Sequence, residues 1–212
     1  MPEQTTPRGQ RRRRGRLVAG ALAIVIALAL GGGYWRHQAT AFRRFSVVHE
    51  GRLFRSKALP AEVIVKRCEE HGIRTVVDLR KEKHREAIDA EAEALAAAGV
   101  KHIHLPTGQV PKPHVIAQFL EIMDEPANWP VLVHCRHGVG RTGVMAAVYR
   151  MEYQGWSNDR ARRENVPLPH FSSFDRGERK GEFIMNYVPR EKRKPPSPPR
   201  ELSARSPEAV RR

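Results

Sequence analysis

At 212 residues, with 40% hydrophobic and 29% charged side chains, the chain has the size and composition of one folded domain with extensions. Its formal charge of +15 sits at the ends: residues 1–44 hold nine Arg against one acid, and residues 189–212 hold eight Lys or Arg against three acids. A nucleic-acid-binding domain carries its charge on the folded face, and 45–188 has 21 basic against 19 acidic residues, so no nucleic-acid partner is expected.

Residues 1–16 read as a basic stub. Leu17–Leu30 carries no charged or polar side chain, and with Gly31–Trp35 it approaches the ~20 residues needed to cross a bilayer. Tyr34 and Trp35 fall where an interfacial aromatic belt would lie, and Arg11, Arg12, Arg13, Arg14 and Arg16 precede the run. These features predict a single transmembrane helix at 17–35. The charge bias predicts a cytoplasmic N-terminus, which in a bacterium places the remainder in the periplasm. A cleaved signal peptide is the alternative, with a 14-residue apolar core and Ala39-Thr40-Ala41 as a distant cleavage pattern. Residues 36–44 read as a juxtamembrane linker.

The domain is expected at 45–188. Phe45–Val48 and Leu53–Arg55 read as short strands around Gly51. Pro60 opens a helix to His71, stopped by Gly72. Thr75–Leu79 is a β-branched strand, Glu82–Ala98 an Ala- and Glu-rich helix, and His102–Leu105 a strand. Pro113–Met123 sets Ile116, Phe119, Leu120 and Met123 on one helical stripe. An apolar strand at Val131–His134, a helix at Thr142–Gln154, a Ser157-capped helix at Asn158–Glu164 and a last helix over Ser173–Val188 complete the domain. Strands separated by helices predict an α/β fold with a central, mostly parallel sheet flanked by helices. Residues 189–212 read as a Pro-rich, charged, disordered tail.

The chemistry lies in Val131–Gly143, VLVHCRHGVGRTG. A buried strand delivers Cys135 at its C-terminal end, where open α/β sheets place their ligands. Five residues, Arg136, His137, Gly138, Val139 and Gly140, then lead to Arg141 and a helix. Successive amides of such a loop converge into an anion nest, to which the helix N-terminus adds its dipole. Gly138 and Gly140 are expected to take positive φ and curl the chain. Arg141 can fork two N–H bonds to phosphate oxygens. The same positive field favours a thiolate on Cys135. Thr142 is placed for its hydroxyl to bond the sulfur, and His134 to orient the loop through hydrogen bonds. Cys68, in the Val63–His71 stretch, reads as a small core residue. Two widely spaced cysteines form neither a disulfide framework nor a zinc pair.

The stretch His134-Cys135-x5-Arg141-Thr142-Gly143 resembles the signature of the protein tyrosine and dual-specificity phosphatase superfamily. Gly51–Ser56 and Gly72–Arg80 resemble upstream segments of small bacterial dual-specificity-like enzymes, and Arg150–Glu164 resembles the helix pair after the loop. The resemblance spans about 45–165. It implies the cysteine-phosphatase fold and hydrolysis of phosphate monoesters through a cysteinyl-phosphate, without metal or cofactor. Catalysis would fall to Cys135, Arg141 and Thr142, and phosphate binding to residues 136–141. The implied partners are a phosphorylated protein or a phospholipid headgroup, reached from the membrane.

The chain departs from that pattern in its proton donor. Such enzymes usually carry an aspartate on a loop after the preceding strand, but Pro106–His114 contains no carboxylate. Some bacterial relatives carry an acid directly before the arginine, where this chain has Gly140. His114 and His137 are the candidate acids. Asp78 is expected in a network with Arg80 or Arg55, and Glu121 and Asp124 at the surface. A phospho-ligand binder without turnover is a second reading. A sulfurtransferase is a third, set aside because its loop is usually shorter and lacks the Arg-Thr ending.

Overall fold

The computed structural model describes residues 17, 20, 22–33, 45–166 and 172–192. Five strands form one mixed sheet: β1 (Phe45–His49), β2 (Leu53–Lys57), β3 (Thr75–Asp78), β4 (Lys101–His104) and β5 (Val131–Cys135), in the order β1-β2-β5-β3-β4. Only β1 pairs antiparallel, through the tight turn at Gly51 (φ 68°); β2, β5, β3 and β4 run parallel. β5 is central and buried along its whole length, which suits its apolar, β-branched sequence.

Alternation along the strands splits the interior into two cores. Leu53, Val77, Val131, Val133 and Cys135 face one side. That side is covered by α3 (Pro113–Asp124), α4 (Gly140–Tyr153), α5 (Asn158–Arg163) and α6 (Arg179–Met185). Phe54, Val76 and Leu132 face the other side, under α1 (Ala61–His71) and α2 (Arg85–Ala97). Ile116, Phe119, Leu120 and Met123 form the buried stripe of α3, as their spacing predicts. Gly72 closes α1 in the left-handed region, and the Ser157 hydroxyl accepts from the Arg160 amide to cap α5.

Two helices differ from the sequence reading. Residues Glu82–His84 form a 3-10 turn, and α2 begins only at Arg85. The last helix is restricted to Arg179–Met185. Ahead of it, the Asp175 carboxylate accepts from the Ser172 amide and the Ser172 hydroxyl accepts from the Phe174 amide. These local bonds compete with a helix, and Gly177 at φ 87° interrupts it further. After α6, Arg190 pairs with Asp124 and, at 3.1 Å, with Glu152.

The transmembrane expectation for 17–35 is not supported in this form. Residues 17, 20 and 22–33 are helical and exposed. Among the described residues no helix is long and apolar enough to cross a membrane. The proposed stub at 1–16, linker at 36–44 and most of the tail, 193–212, lie outside the described residues.

Candidate active site

Cys135 ends β5 on the α4 side of the sheet, and its carbonyl accepts from the Ala58 amide at 2.8 Å. The chain then turns through Gly138 at φ 68° into α4, which starts at Gly140. Among the described residues, the amides of Arg136, His137, Gly138 and Val139 donate to no protein group. Together with the unpaired first amides of the 14-residue α4, they provide the donors of an anion nest.

Gly140 does not take the positive φ expected of it, being the first residue of α4. Its lack of a side chain serves a different purpose. A Cβ there would stand 2.6 Å from Gln109 Oε1 and 3.4 Å from Lys180 Nζ. The space above Gly140 is therefore already filled by two side chains from distant parts of the chain.

Cys135, Arg136, His137, Val139, Gly140 and Arg141 line a pocket of about 230 Å³, completed by Gln109, Ser173 and Lys180. The last three carry no sequence motif. Gln109 comes from the segment after β4, and Ser173 and Lys180 from the last turn and helix, where Lys180 Nζ donates to Ser173 Oγ at 2.7 Å. Burial lowers the Lys180 pKa, while the charges of Cys135 and Glu178 act in the opposite sense. Arg141 Nη1 donates to the Leu79 carbonyl, just beyond β3, at 2.9 Å. Among the described residues no carboxylate lines the pocket.

Other sequence candidates fall in different places. Thr142 is fully buried and its hydroxyl has no hydrogen-bond partner, so the expected bond to the Cys135 sulfur is absent. His114 lies at the start of α3 and lines a separate depression of about 510 Å³ with Lys81, Lys83 and Lys112. Of the two candidate histidines, only His137 borders the cysteine. His84 sits on the segment after β3; burial lowers its pKa, and Arg136 and Lys83 add to the effect, but it does not line the pocket. Cys68 packs in the opposite core, and burial, aided by Glu91 and Glu69, pushes its thiol up to about 12. Both cysteines are free. Glu121 is exposed, and Asp124 pairs with Arg190 away from the pocket.

His134 faces away from the loop it was expected to orient. Its Nε2 meets Glu91 Oε1 at 2.8 Å, beneath the sheet. Glu91 and Asp78 both bind Arg80, at 2.9 and 2.8 Å, which settles Asp78's partner as Arg80. Arg55 instead donates to Asn165 at 3.1 Å. Burial opposes the Glu91 charge, but the neighbouring His102, the hydrogen bond to His134 and the nearby Arg80 outweigh it and hold the carboxyl at about 2. Asp78, Glu91 and His134 place three ligand-type atoms within 4.8 Å of one another. The Arg80 guanidinium already bridges the two carboxylates, so the cluster is an ion-paired network rather than a cation cage.

A parallel sheet that delivers a cysteine into a cradle of free amides, closed by an arginine six residues on, defines the class of the protein tyrosine phosphatases. Residues 45–184 match the family described as DSP-PTPase phosphatase fused to NAD+ kinase, and the chain belongs to this dual-specificity-type family. It is similar to the dual specificity protein phosphatase TpbA of Pseudomonas aeruginosa, with 34% identity over 114 residues, 53% of this chain and 49% of TpbA. The chain thus spans about half the length of the curated relatives it matches. Among solved structures, the core catalytic domain of the PP-IP phosphatase SIW14 of Saccharomyces cerevisiae aligns with a TM-score of 0.55 at 26% identity, covering 68% of this chain and 85% of that one. The P. aeruginosa TpbA crystal structure aligns with a TM-score of 0.52 at 26% identity, covering 65% and 81%.

Proposed function

We propose that this chain is a cysteine-dependent phosphatase acting on phosphate monoesters. The observation that carries the reading is the position of Cys135, at the start of a cradle of free amides, in one pocket with Arg136, Arg141 and Lys180. In this reading the Cys135 thiolate attacks phosphorus. The S–P bond forms, the P–O bond to the leaving group breaks, and its electron pair goes to that oxygen, which takes up a proton. Water then attacks the cysteinyl-phosphate, releasing inorganic phosphate and restoring the thiolate. Arg141 and the loop amides stabilise the equatorial oxygens in both steps. Family membership supports the activity, and the names of its relatives point to phosphorylated proteins or inositol-type phosphates as substrate classes.

The competing reading is a phospho-ligand binder without turnover, favoured by the lack of a carboxylate among the described residues that line the pocket. Phosphate release from p-nitrophenyl phosphate, a phosphotyrosine peptide and phospholipids, with and without Cys135→Ser, separates the two. Cys135-dependent release supports the enzyme. Binding of the phosphopeptide with no release from any substrate supports the binder.

We also propose that residues 17–35 tether the domain to a bacterial inner membrane, with the domain periplasmic. The uncharged run, the exposure of residues 22–33 and the arginines at 11–14 and 16 support this reading. A reporter fused to the C-terminus tests it: periplasmic activity in the membrane fraction is expected, and cytoplasmic activity would remove the proposal.

A further inference from the structure

A phosphatase of this design needs a proton for its leaving oxygen, and among the described residues no carboxylate lines the pocket to supply one. Among the described residues that line it, the groups that carry a proton are limited. Arg136 and Arg141 do not release theirs in proteins. Cys135 is assigned to attack, and the Ser173 hydroxyl is a weak acid already accepting from Lys180. Of the described lining residues, His137 and Lys180 remain. His137 is exposed, whereas Lys180 is half-buried and reaches in from α6.

The placement of Lys180 is specific. Its Nζ would lie 3.4 Å from a Cβ on Gly140, the residue directly before Arg141. It is held there by Ser173 at 2.7 Å and lies 5.2 Å from the Phe174 ring centroid. Gly181, next in sequence, lets α6 approach closely: a Cβ at that position would collide with the backbone carbonyls of Asp175 and Phe174. Gly140 thus leaves room for the amine, while Gly181 allows the helix that carries it to seat.

We propose that Lys180 is the proton donor to the leaving oxygen. The inference rests on the phosphatase reading above. In the first step the ammonium gives one proton to the departing oxygen as the P–O bond breaks, leaving a neutral amine and an alcohol or phenol. In the second, the amine takes a proton from the water that attacks phosphorus, and the ammonium is restored as thiolate and phosphate separate. Burial favours the neutral amine, which helps a lysine exchange protons. Cys135 and Glu178 oppose that effect, and Arg136, His137 and Arg141 face the same space.

The test is leaving-group dependence of kcat/KM in the full chain, which reports the first chemical step. p-Nitrophenolate departs readily without a proton, whereas phenolate needs one. Lys180→Arg keeps the charge but cannot release a proton. It is expected to lower kcat/KM for phenyl phosphate about 100-fold, against less than about tenfold for p-nitrophenyl phosphate. Lys180→Gln, a second variant checked for folding by its melting temperature, should show the same split with an added loss on both substrates. An equal loss on both substrates in Lys180→Arg would reduce Lys180 to a binding group and overturn the proposal. So would a split that follows His137→Ala instead. If the wild-type protein shows no Cys135-dependent release from p-nitrophenyl phosphate, the phosphatase reading itself has failed, a result distinct from either.

Discussion

Arg141 is tied by its Nη1 to the backbone carbonyl of Leu79, 2.9 Å away and 62 residues earlier in the chain. The bond holds the arginine of the phosphate loop against the end of the neighbouring strand. One guanidinium nitrogen is thereby fixed to the scaffold, which orients the plane of the fork and leaves its remaining N–H groups for a ligand.

Lysine cannot reproduce that arrangement, because its point charge has no second arm. Arg141→Lys is expected to lower kcat on p-nitrophenyl phosphate by roughly 10²–10³-fold. Stability should change by only about 1 kcal/mol, the scale of one lost hydrogen bond. Steady-state kinetics and urea melts on the same preparation check both parts.

Glu91 gives a pH prediction. Its carboxyl is held at about 2 in the fold against an ordinary 4.5. A depressed carboxylate stabilises the fold above its unfolded pKa, and that stability is lost as pH falls through the folded value. The full contribution is roughly 3 kcal/mol. Glu91→Gln should therefore be clearly less stable than wild type at neutral pH, and the gap should narrow as pH falls from about 5 toward 3. A gap independent of pH in urea titrations would show that the charge on Glu91 is not what stabilises the fold.

The two glycines around Lys180 should respond differently to alanine. At Gly181 a methyl group meets backbone, which cannot swing aside, so Gly181→Ala is expected to cost roughly 1–3 kcal/mol. At Gly140 it meets the ends of Gln109 and Lys180, which can move. Gly140→Ala should keep stability within about 1 kcal/mol, yet displacing these groups should lower activity by up to about 100-fold. Melting curves and kcat/KM measured together distinguish the two outcomes.

Thiol chemistry separates the cysteines. Cys68 is 1% exposed, and burial pushes its pKa to about 12. Iodoacetamide at neutral pH should label one cysteine, Cys135, and inorganic phosphate should protect it. Peptide mapping that found Cys68 modified in the native protein would contradict this assignment.

The sequence makes the cradle readable because its parts are close together. Cys135 and Arg141 are six residues apart, and the apolar strand before them and the helix after them follow ordinary periodicity. The rest of the pocket depends on tertiary contact. Gln109, Ser173 and Lys180 come from segments on either side of the loop in sequence, and nothing local marks them. Adjacency to Cys135 suggests that His134 belongs to the loop, but strand alternation turns it to the opposite face, where Glu91 meets it. The sequence suggests backbone freedom at Gly140, whereas the fold uses its missing side chain. The last helix is shorter than helix propensity suggests, because the Ser172–Asp175 bonds form a turn ahead of it.

The alternation along β5 has one more consequence. His134 points into the Glu91 side of the sheet and Cys135 into the pocket side, on a strand paired in parallel with both β2 and β3. A slip of one residue would exchange the two, burying the thiol against carboxylates and presenting an imidazole to the phosphate cradle. The pairing register on both edges of β5 therefore acts as the reading frame of the site. Substitutions at the buried positions of β5 that keep this frame leave the geometry intact, whereas insertion or deletion of a single residue before Cys135 would shift it entirely.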